Sequence, residues 1–368
     1  MYNWQQKGWP RFIFSLESAE NEILIFLEKL GRVSGLLEGL TDTSKQDVVV
    51  DIILAEAIKT SEIEGEYPSR KDVLSSIRKN LGLHQTVEHI ADKSAAGLGE
   101  LIIDVRTTFK EPITEEKLFA WHAMLLGQHK GIEVGRWRTH AEPMQVISGA
   151  LGKTKVHYEA PPSSSVPKEM KAFINWFNET GPGGKKEIKK APIRSAIAHL
   201  YFETIHPFED GNGRIGRAIA EKALSQTIGR PVVLSLSSTI ESNKKLYYDS
   251  LETAQRSMEV TPWLEYFVQV CLNAQTETEV QIDFTLRKAK FFDRFKDQLN
   301  DRQRIVIKRM LEEGVKGFEG GMNARKYVGL AKTSKATATR DMQELLDIGA
   351  FVLAGKAGGR STSYAVNL

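Results

Sequence analysis

The sequence predicts a mainly α-helical fold with one β-hairpin in its middle third and a small terminal domain of three helices and a second hairpin. Three observations carry this. Apolar residues recur at three- and four-residue intervals through most of the first ~297 residues. Residues 144–160, MQVISGALGKTKVHYEA, are β-branched around a glycine-containing centre, as in a hairpin. Beyond about residue 298 shorter helical stretches give way to two β-like runs.

The elements follow in order. SLESAENEILIFLEKLGRVSGLL has helical spacing, with Ser15 placed as a cap. DVVVDIILAEAIKTSEIEG continues in that style and stops at Gly65, ahead of Pro68. ITEEKLFAWHAMLLG opens on Thr114, with Lys117 three residues on and acidic neighbours, and stops at Gly127. The hairpin at 144–160 ends at the double proline Pro161–Pro162, and VPKEMKAFINWFNET is helical again. APIRSAIAHLYFETI is apolar around most of its circumference, which predicts a central, buried helix ending near Ile205. A new helix starts around Asn212 and ends at Gly229, before Pro231.

The last segment reads DRQRIVIKRMLEEG, then NARKYVGLA, then SKATATRDMQELLDIGA capped by Ser334. Two β-like runs around KAGG close the chain, the layout of a winged helix. Residues 301–368 hold twelve Lys/Arg and seven Asp/Glu, a difference of +5. Lys335, Thr337, Thr339 and Arg340 lie in the first half of the third helix, and Lys356 and Arg360 in the wing. That distribution suits DNA phosphates with the helix in the major groove. It suits a protein-interaction or dimerisation surface as well.

Composition narrows the class. The 368 residues are 41% hydrophobic and 26% charged, which is globular composition. The net charge of +3 is too mild to imply nucleic acid or membrane by itself. One cysteine, Cys271, excludes an internal disulfide framework and a cysteine zinc cluster. The first residues have no basic-then-apolar signal layout, and no uncharged run reaches the ~20 residues that span a bilayer. A soluble, cytoplasmic protein without a membrane partner is expected.

One segment concentrates chemistry. Residues 206–217 read HPFEDGNGRIGR: a histidine, two carboxylates, three glycines, an asparagine and two arginines. It is a loop leading into a helix N-terminus, where unpaired N–H groups and the helix dipole form an anion site. Gly211 and Gly213 allow close backbone approach to phosphate oxygens. Arg214 and Arg217, three apart, share a face and can fork onto phosphate. Asp210, just before the glycines, is placed to hold Mg²⁺ between phosphates. His206 can serve as general base. The set suits phosphoryl or nucleotidyl transfer, where catalysis is mainly positioning and electrostatics.

This segment resembles the signature of Fic-domain proteins, HPFx(D/E)GNGRxxR, at every fixed position. The resemblance implies a helical core with a β-hairpin flap, and a division into an N-terminal helical region (1–95), a Fic catalytic core (96–285) and a winged-helix domain (298–368). It implies AMP transfer from ATP, with Mg²⁺, to a Ser, Thr or Tyr hydroxyl of a target protein or of the chain itself. On that reading His206 deprotonates the hydroxyl and Asp210 binds Mg²⁺. Gly211, Asn212, Gly213 and Gly216 belong to the nucleotide site, and Arg214 and Arg217 hold the phosphate tail. GRWR at 135–138 resembles a Gly-x-x-Arg element that often precedes the flap. Lys155, Val156, His157 and Tyr158 would be the flap strand that pairs with the target. NKKLYYDSLETAQ resembles the part of the family that lines the adenine pocket, which brings in Tyr247, Tyr248 and Gln255. Upstream, TSEIEG fits the family's inhibitory motif (S/T)xxxE(G/N) at Thr60, Glu64 and Gly65. The implied restraint is electrostatic: Glu64 pairs with Arg217 in the place of the ATP γ-phosphate.

Two other readings stay open: a DNA-binding regulator whose Fic module senses nucleotide, and removal of AMP with Glu64 positioning water. A homodimer is compatible with either. Target identity and acceptor residue are not encoded in any motif.

Overall fold

The computed structural model describes residues 1–83, 90–127, 131–148, 155–354 and 362–368. It is mainly helical. In chain order the elements are α1 (Glu20–Glu38), α2 (Asp42–Ile63), α3 (Arg70–Asn80), α4 (Lys93–Thr107), α5 (Glu115–Leu126), β1 (Gln145–Ser148) and β2 (Lys155–Glu159). Then come α6 (Val166–Glu179), α7 (Ala191–Ile205), α8 (Asn212–Ile228), α9 (Leu236–Ser242), α10 (Lys244–Ala254) and α11 (Thr261–Arg294). The last are α12 (Asp301–Leu311), α13 (Ala324–Ala331), α14 (Lys335–Asp347), β3 (Phe351–Leu353) and β4 (Tyr364–Val366). Two starts differ from expectation. Ser15 precedes a short 3-10 turn whose N-cap is Leu16, its Oγ accepting the Glu17 N–H at 3.3 Å, and α1 begins at Glu20. The second helix begins earlier, at Asp42, because the Thr41 Oγ1 accepts the Ser44 N–H at 3.3 Å.

The chain forms two compact units: residues 1–31 with 49–278, and residues 32–48 with 279–368. In the first unit α7 is the axis. All of its residues are buried, and it packs along α8 and against α6. A proline in its first turn costs nothing there, because that N–H has no helical partner. Around this pair lie two apolar clusters. One gathers α3, α4 and α5 with Phe173, Phe177 and Phe202; the other gathers α9, α10 and α11 with Leu200, Leu224 and Trp263. Helix α4 carries two glycines where its neighbours cross it. A Cβ at Gly99 would crowd Ser76 of α3, and one at Gly97 would overlap the Met124 carbonyl of α5.

The hairpin β1–β2 is antiparallel, pairing Val146 with Tyr158 and Ile147 with Val156, a register shift that leaves His157 of β2 without an opposite residue. It is anchored from two sides. The Tyr158 hydroxyl donates to the Thr204 carbonyl of α7 at 2.5 Å, and the Trp4 indole donates to the Glu159 carbonyl at 2.8 Å. The first residues of the chain are therefore structural: Asn3 is fully buried and its N–H donates to the Gln255 carbonyl at 2.8 Å.

The second unit has its own core of Phe291, Phe295, Ile307, Tyr327, Leu345 and Phe351. Helices α12, α13 and α14 are capped by Asn300, Asn323 and Ser334, and β3 pairs antiparallel with β4. Lys335, Thr339 and Arg340 are exposed on α14 and Thr337 is half-buried. Asp341 beside them is turned inward onto Arg302, at 2.9 and 3.0 Å, and the Tyr327 hydroxyl. Lys356 and Arg360 lie outside the described residues. Among the described residues no helix is long and apolar enough to cross a membrane.

The α4–α5 crossing gives a test. Gly97→Ala should cost about 1–3 kcal/mol, as overpacking does, and for a folding unit of this size lower the melting temperature by roughly 2–4 °C per kcal/mol. A thermal melt checks this, with Gly31→Ala, where an added Cβ meets nothing within 4 Å, as the comparison.

Candidate active site

Helix α7 runs out at Ile205, and His206 takes the left-handed conformation, φ 51° and ψ 60°, with its N–H still bonded to the Phe202 carbonyl at 2.9 Å. A buried arginine holds this bend. Arg138 donates from Nε to the His206 carbonyl at 2.8 Å and from Nη2 to those of Pro161 and Ile205, at 2.5 and 3.3 Å. Its own N–H donates to the Pro207 carbonyl at 2.9 Å. Burial lowers its pKa to about 10, which leaves it cationic at neutral pH. Thus the arginine of GRWR fixes the backbone on which His206 stands.

The rest of the loop is pinned from inside. Phe208 is fully buried and stacks on His122, ring centroids 4.1 Å apart. The His122 Nδ1 accepts the Gly135 N–H at 3.0 Å, so its Nε2 is the protonated nitrogen, 3.2 Å from the Asp210 carbonyl. Burial holds its pKa below the ordinary histidine range, consistent with a neutral, supporting ring. Asn212 spends its side chain on the loop: Oδ1 accepts the Phe208 N–H at 2.9 Å and Nδ2 donates to the Phe208 carbonyl at 2.8 Å. Only its backbone faces the site. Gly211, at φ +79°, turns the chain into α8, whose first turn has no side-chain cap among the described residues. Those N–H groups open on a cavity of about 600 Å³ lined by His206, Asp210, Gly211, Asn212, Gly213, Glu203, Glu64, Tyr247, Tyr248 and Gln255.

The residues just after α2 make two ion pairs with α8, and of the four partners Glu64 lines this cavity. Arg217, 1% exposed, donates from Nε to the Thr60 hydroxyl at 2.7 Å, and from Nη2 to the Thr60 carbonyl at 2.8 Å and Glu64 Oε1 at 2.7 Å. Burial works against its charge, but Glu64, together with Tyr247 and Glu203, outweighs this and holds the guanidinium above its usual pKa range. Arg214, 3% exposed, pairs with Glu66, and its Nη2 lies 3.8 Å from Asp210 Oδ1. Gly65 at φ +83° makes the turn that aims both carboxylates inward. Glu64 lies flat on the bare first turn of α8, where a Cβ at Gly213 would overlap its Oε1. Arg217 Nη1 and Arg214 Nε are buried with no hydrogen-bond partner among the described residues.

The remaining expected residues fall as follows. His157 pairs with Glu252 of α10 at 3.0 Å, while Lys155 and Val156 are exposed on β2. Tyr158 is 2% exposed and serves as the anchor described above. Tyr247 is buried, its hydroxyl 2.9 Å from His199 Nε2, and the Tyr248 hydroxyl donates to the Ile63 carbonyl of α2 at 3.3 Å. Gln255 donates to the Glu203 carbonyl at 3.2 Å. Gly216 lies apart from the cavity lining, packed against Glu203 and His199. Sequence reasoning passed over Glu66 and Asn3, whose neighbours do not distinguish them from surface residues, and Glu203, whose signal was a carboxylate inside a helix expected to be buried.

Asp210, about half exposed, fits a divalent cation of the Mg²⁺ kind, which takes one or two protein carboxylates and completes its shell from phosphate and water. Among the described residues no group of three metal-ligating side chains exists, so a structural metal cage is not built here.

Residues 112–224 match the model of the Fic/DOC family, and residues 2–83 that of a domain of unknown function, DUF4172. The chain is 28% identical over 157 residues to protein adenylyltransferase fic-1 of Caenorhabditis elegans, covering 42% of this chain and 27% of that protein. It is 28% identical over 174 residues to protein adenylyltransferase Fic of Nematostella vectensis, covering 46% and 36%. It is 29% identical over 146 residues to a probable protein adenylyltransferase of Aquifex aeolicus, covering 40% and 38%. The match thus spans about a quarter to two-fifths of these relatives' length. Among solved structures, a Fic family protein from Desulfovibrio desulfuricans superposes with a TM-score of 0.54 at 20% identity, covering 97% of this chain and 98% of that one. A Fic domain containing signaling protein from Bacteroides thetaiotaomicron gives 0.52 at 18% identity, covering 73% and 97%. At these identities the structural likeness is one of fold. The segment 112–224, which matches the Fic/DOC family model, contains the 206–217 loop and part of the cavity lining, while Glu64, Tyr247, Tyr248 and Gln255 lie outside it.

Proposed function

We propose that the chain is a protein adenylyltransferase that moves AMP from ATP to a hydroxyl side chain of a target protein, and that the end of α2 restrains it. The observation that carries this reading is the charge arrangement at the α8 N-terminus. An uncapped helix turn opens on the cavity with Glu64 lying against it, and two buried arginines behind it are each paired with a carboxylate, which supports an anion site held by internal competitors.

In the reaction so read, the target oxygen forms a bond to the α-phosphorus and the bond from that phosphorus to the α–β bridging oxygen breaks. Pyrophosphate leaves, and the hydroxyl proton passes to His206. The first-turn N–H groups of α8 and the two arginines bind the phosphates and hold them in line, where most of the rate gain of such reactions arises. Asp210 would hold Mg²⁺, which offsets phosphate charge when bound. Tyr247, Tyr248 and Gln255 line the base-binding end, and the target approaches along β1–β2 by strand addition.

Restraint follows from competition for the same donors. An ATP γ-phosphate and Glu64 both need Arg217, and Thr60 keeps that arginine turned toward α2. Glu66 adds the same competition at Arg214, from a more exposed position with 41% of its side chain open. The winged-helix reading of residues 298–368 supplies a second binding surface for DNA or protein, separate from this chemistry.

Labelled-ATP transfer tests these assignments. Hydrogen bonds to charged groups contribute about 1.5–3 kcal/mol, so Glu64→Gly should raise AMP transfer roughly ten- to hundredfold. Arg217→Ala should be inactive in either background. Equal rates for wild type and Glu64→Gly at saturating ATP and Mg²⁺ would remove the restraint from the account.

Exposed ion pairs are worth about 0.2–1 kcal/mol, so Glu66→Gln should raise the rate only up to about fivefold. His206→Ala should lower transfer by ~10²–10⁴-fold with ATP affinity within a few-fold of wild type, since the base acts on the incoming hydroxyl. A His206→Ala protein that still transfers at the full rate would show that the base lies elsewhere.

A further inference from the structure

We propose that Glu203 is a positioning residue for His206: its carboxylate faces Nδ1, fixes the proton there, and leaves Nε2 to take the proton of the target hydroxyl. The inference rests on the reading of His206 as the base, and it concerns a residue outside the 206–217 signature.

The two side chains leave the last turn of α7 three residues apart. Glu203 Oε2 lies 3.6 Å from His206 Nδ1, and the side chains are 5% and 15% exposed. Neither Nδ1 nor Glu203 Oε1 has a hydrogen-bond partner among the described residues. At 3.6 Å the contact is longer than a hydrogen bond, as catalytic contacts in unliganded sites often are.

A buried carboxylate is costly unless something compensates it. Around Glu203 stand His206 and His199 from its own helix, Arg217 from α8, Glu64 after α2 and Tyr247 from α10. Burial pushes its carboxyl pKa up, but the hydrogen-bonding reach of His206 and the basic groups around it, the Arg217 guanidinium among them, outweigh burial and hold the carboxyl below its ordinary range. Among the described residues its closest basic side chain is His206, and the contact becomes an ion pair only when that ring is protonated.

The place for this carboxylate is built by the neighbouring helix. A Cβ at Gly216 would overlap Glu203 Oε1 and come within 3.2 Å of His199 Cε1. So Gly216 leaves the hole that Glu203 fills, which accounts for a glycine inside α8 that does not reach the cavity. Arg138 meanwhile fixes the His206 carbonyl. With the backbone held, ring rotation is the freedom left, and the carboxylate beside Nδ1 restricts it. When Nε2 takes the proton, the imidazolium gains an anion beside it, an interaction stronger in the transition state than before it.

The test uses the full chain in the Glu64→Gly background. Glu203→Gln should lower kcat by about 10²-fold, in the range expected when a base loses its orienting anion, with KM for ATP within about twofold. In ¹⁵N spectra of histidine-labelled protein, with the His206 signals assigned by their loss in His206→Ala, the Nδ1–H tautomer should dominate in the parent and not in Glu203→Gln. Gly216→Ala, which displaces the carboxylate without removing its charge, should lower kcat in the same direction and keeps the question open to test should Glu203→Gln fail to fold. An unchanged kcat with an unchanged tautomer overturns the proposal. So does a raised KM for ATP at constant kcat, which would assign Glu203 to Arg217 and the phosphates. A Glu64→Gly parent that transfers no AMP would instead defeat the proposed activity, and the tautomer measurement would still decide the Glu203–His206 contact.

Discussion

The first unit is organised around one buried cation. Arg217 is 1% exposed, and a guanidinium so placed must have its donors satisfied or be expensive to bury. Thr60 and Glu64 satisfy most of them, which ties the end of α2 to the first turns of α8. Once α2 is held there, the turn at Gly65 sets Glu66 against Arg214, and Tyr248 of α10 reaches the Ile63 carbonyl. The wall of the cavity on that side is therefore a consequence of where one arginine found its partners. On the proposed reading the same partners that stabilise the arginine would compete with a phosphate that needs it, and stability and restraint would have a common origin.

A second arginine does the corresponding work on the other side. Arg138 spends its donors on carbonyls around the His206 bend and the segment after β2, and on the Ser163 hydroxyl. A left-handed histidine is an uncommon backbone state that persists only where its surroundings impose it. Arg138, the Phe208–His122 stack and the Asn212 clasp on Phe208 impose it here. The loop is thus rigid by side-chain hydrogen bonding rather than by regular secondary structure, and the N–H groups of α8 are presented without being used internally.

Much of the fold was legible in the chain. The all-round apolar pattern of 191–205 marked a central helix, and all of α7 is buried. The spacing of Gly211, Asn212 and Gly229 marked both ends of α8, because glycine and loop chemistry at helix ends act through local backbone geometry. The coarse layout of residues 298–347, three helices with Ser334 capping the third, was equally local. Less legible was how a residue is used. Asn212 reads as a phosphate ligand and its side chain is a clasp; Gly216 reads as part of the nucleotide site and makes room for Glu203; Tyr158 reads as flap surface and is a buried anchor.

The sequence by itself determined most of the helices, the hairpin and the glycine-rich turn at 206–217, since each depends on residues within a turn or two of one another. Tertiary structure alone decided the contacts that cross the chain. Asn3 bonds to Gln255, Trp4 to Glu159, Glu66 to Arg214, and Gly216 leaves space for Glu203. These join residues from about a dozen to some 250 positions apart, and no local pattern records them. An acidic residue after a helix looks the same whether it faces solvent or a guanidinium. Which it does is set by where the packing of apolar faces brings the other helix, because a buried charge takes the partner that the folded core leaves within reach.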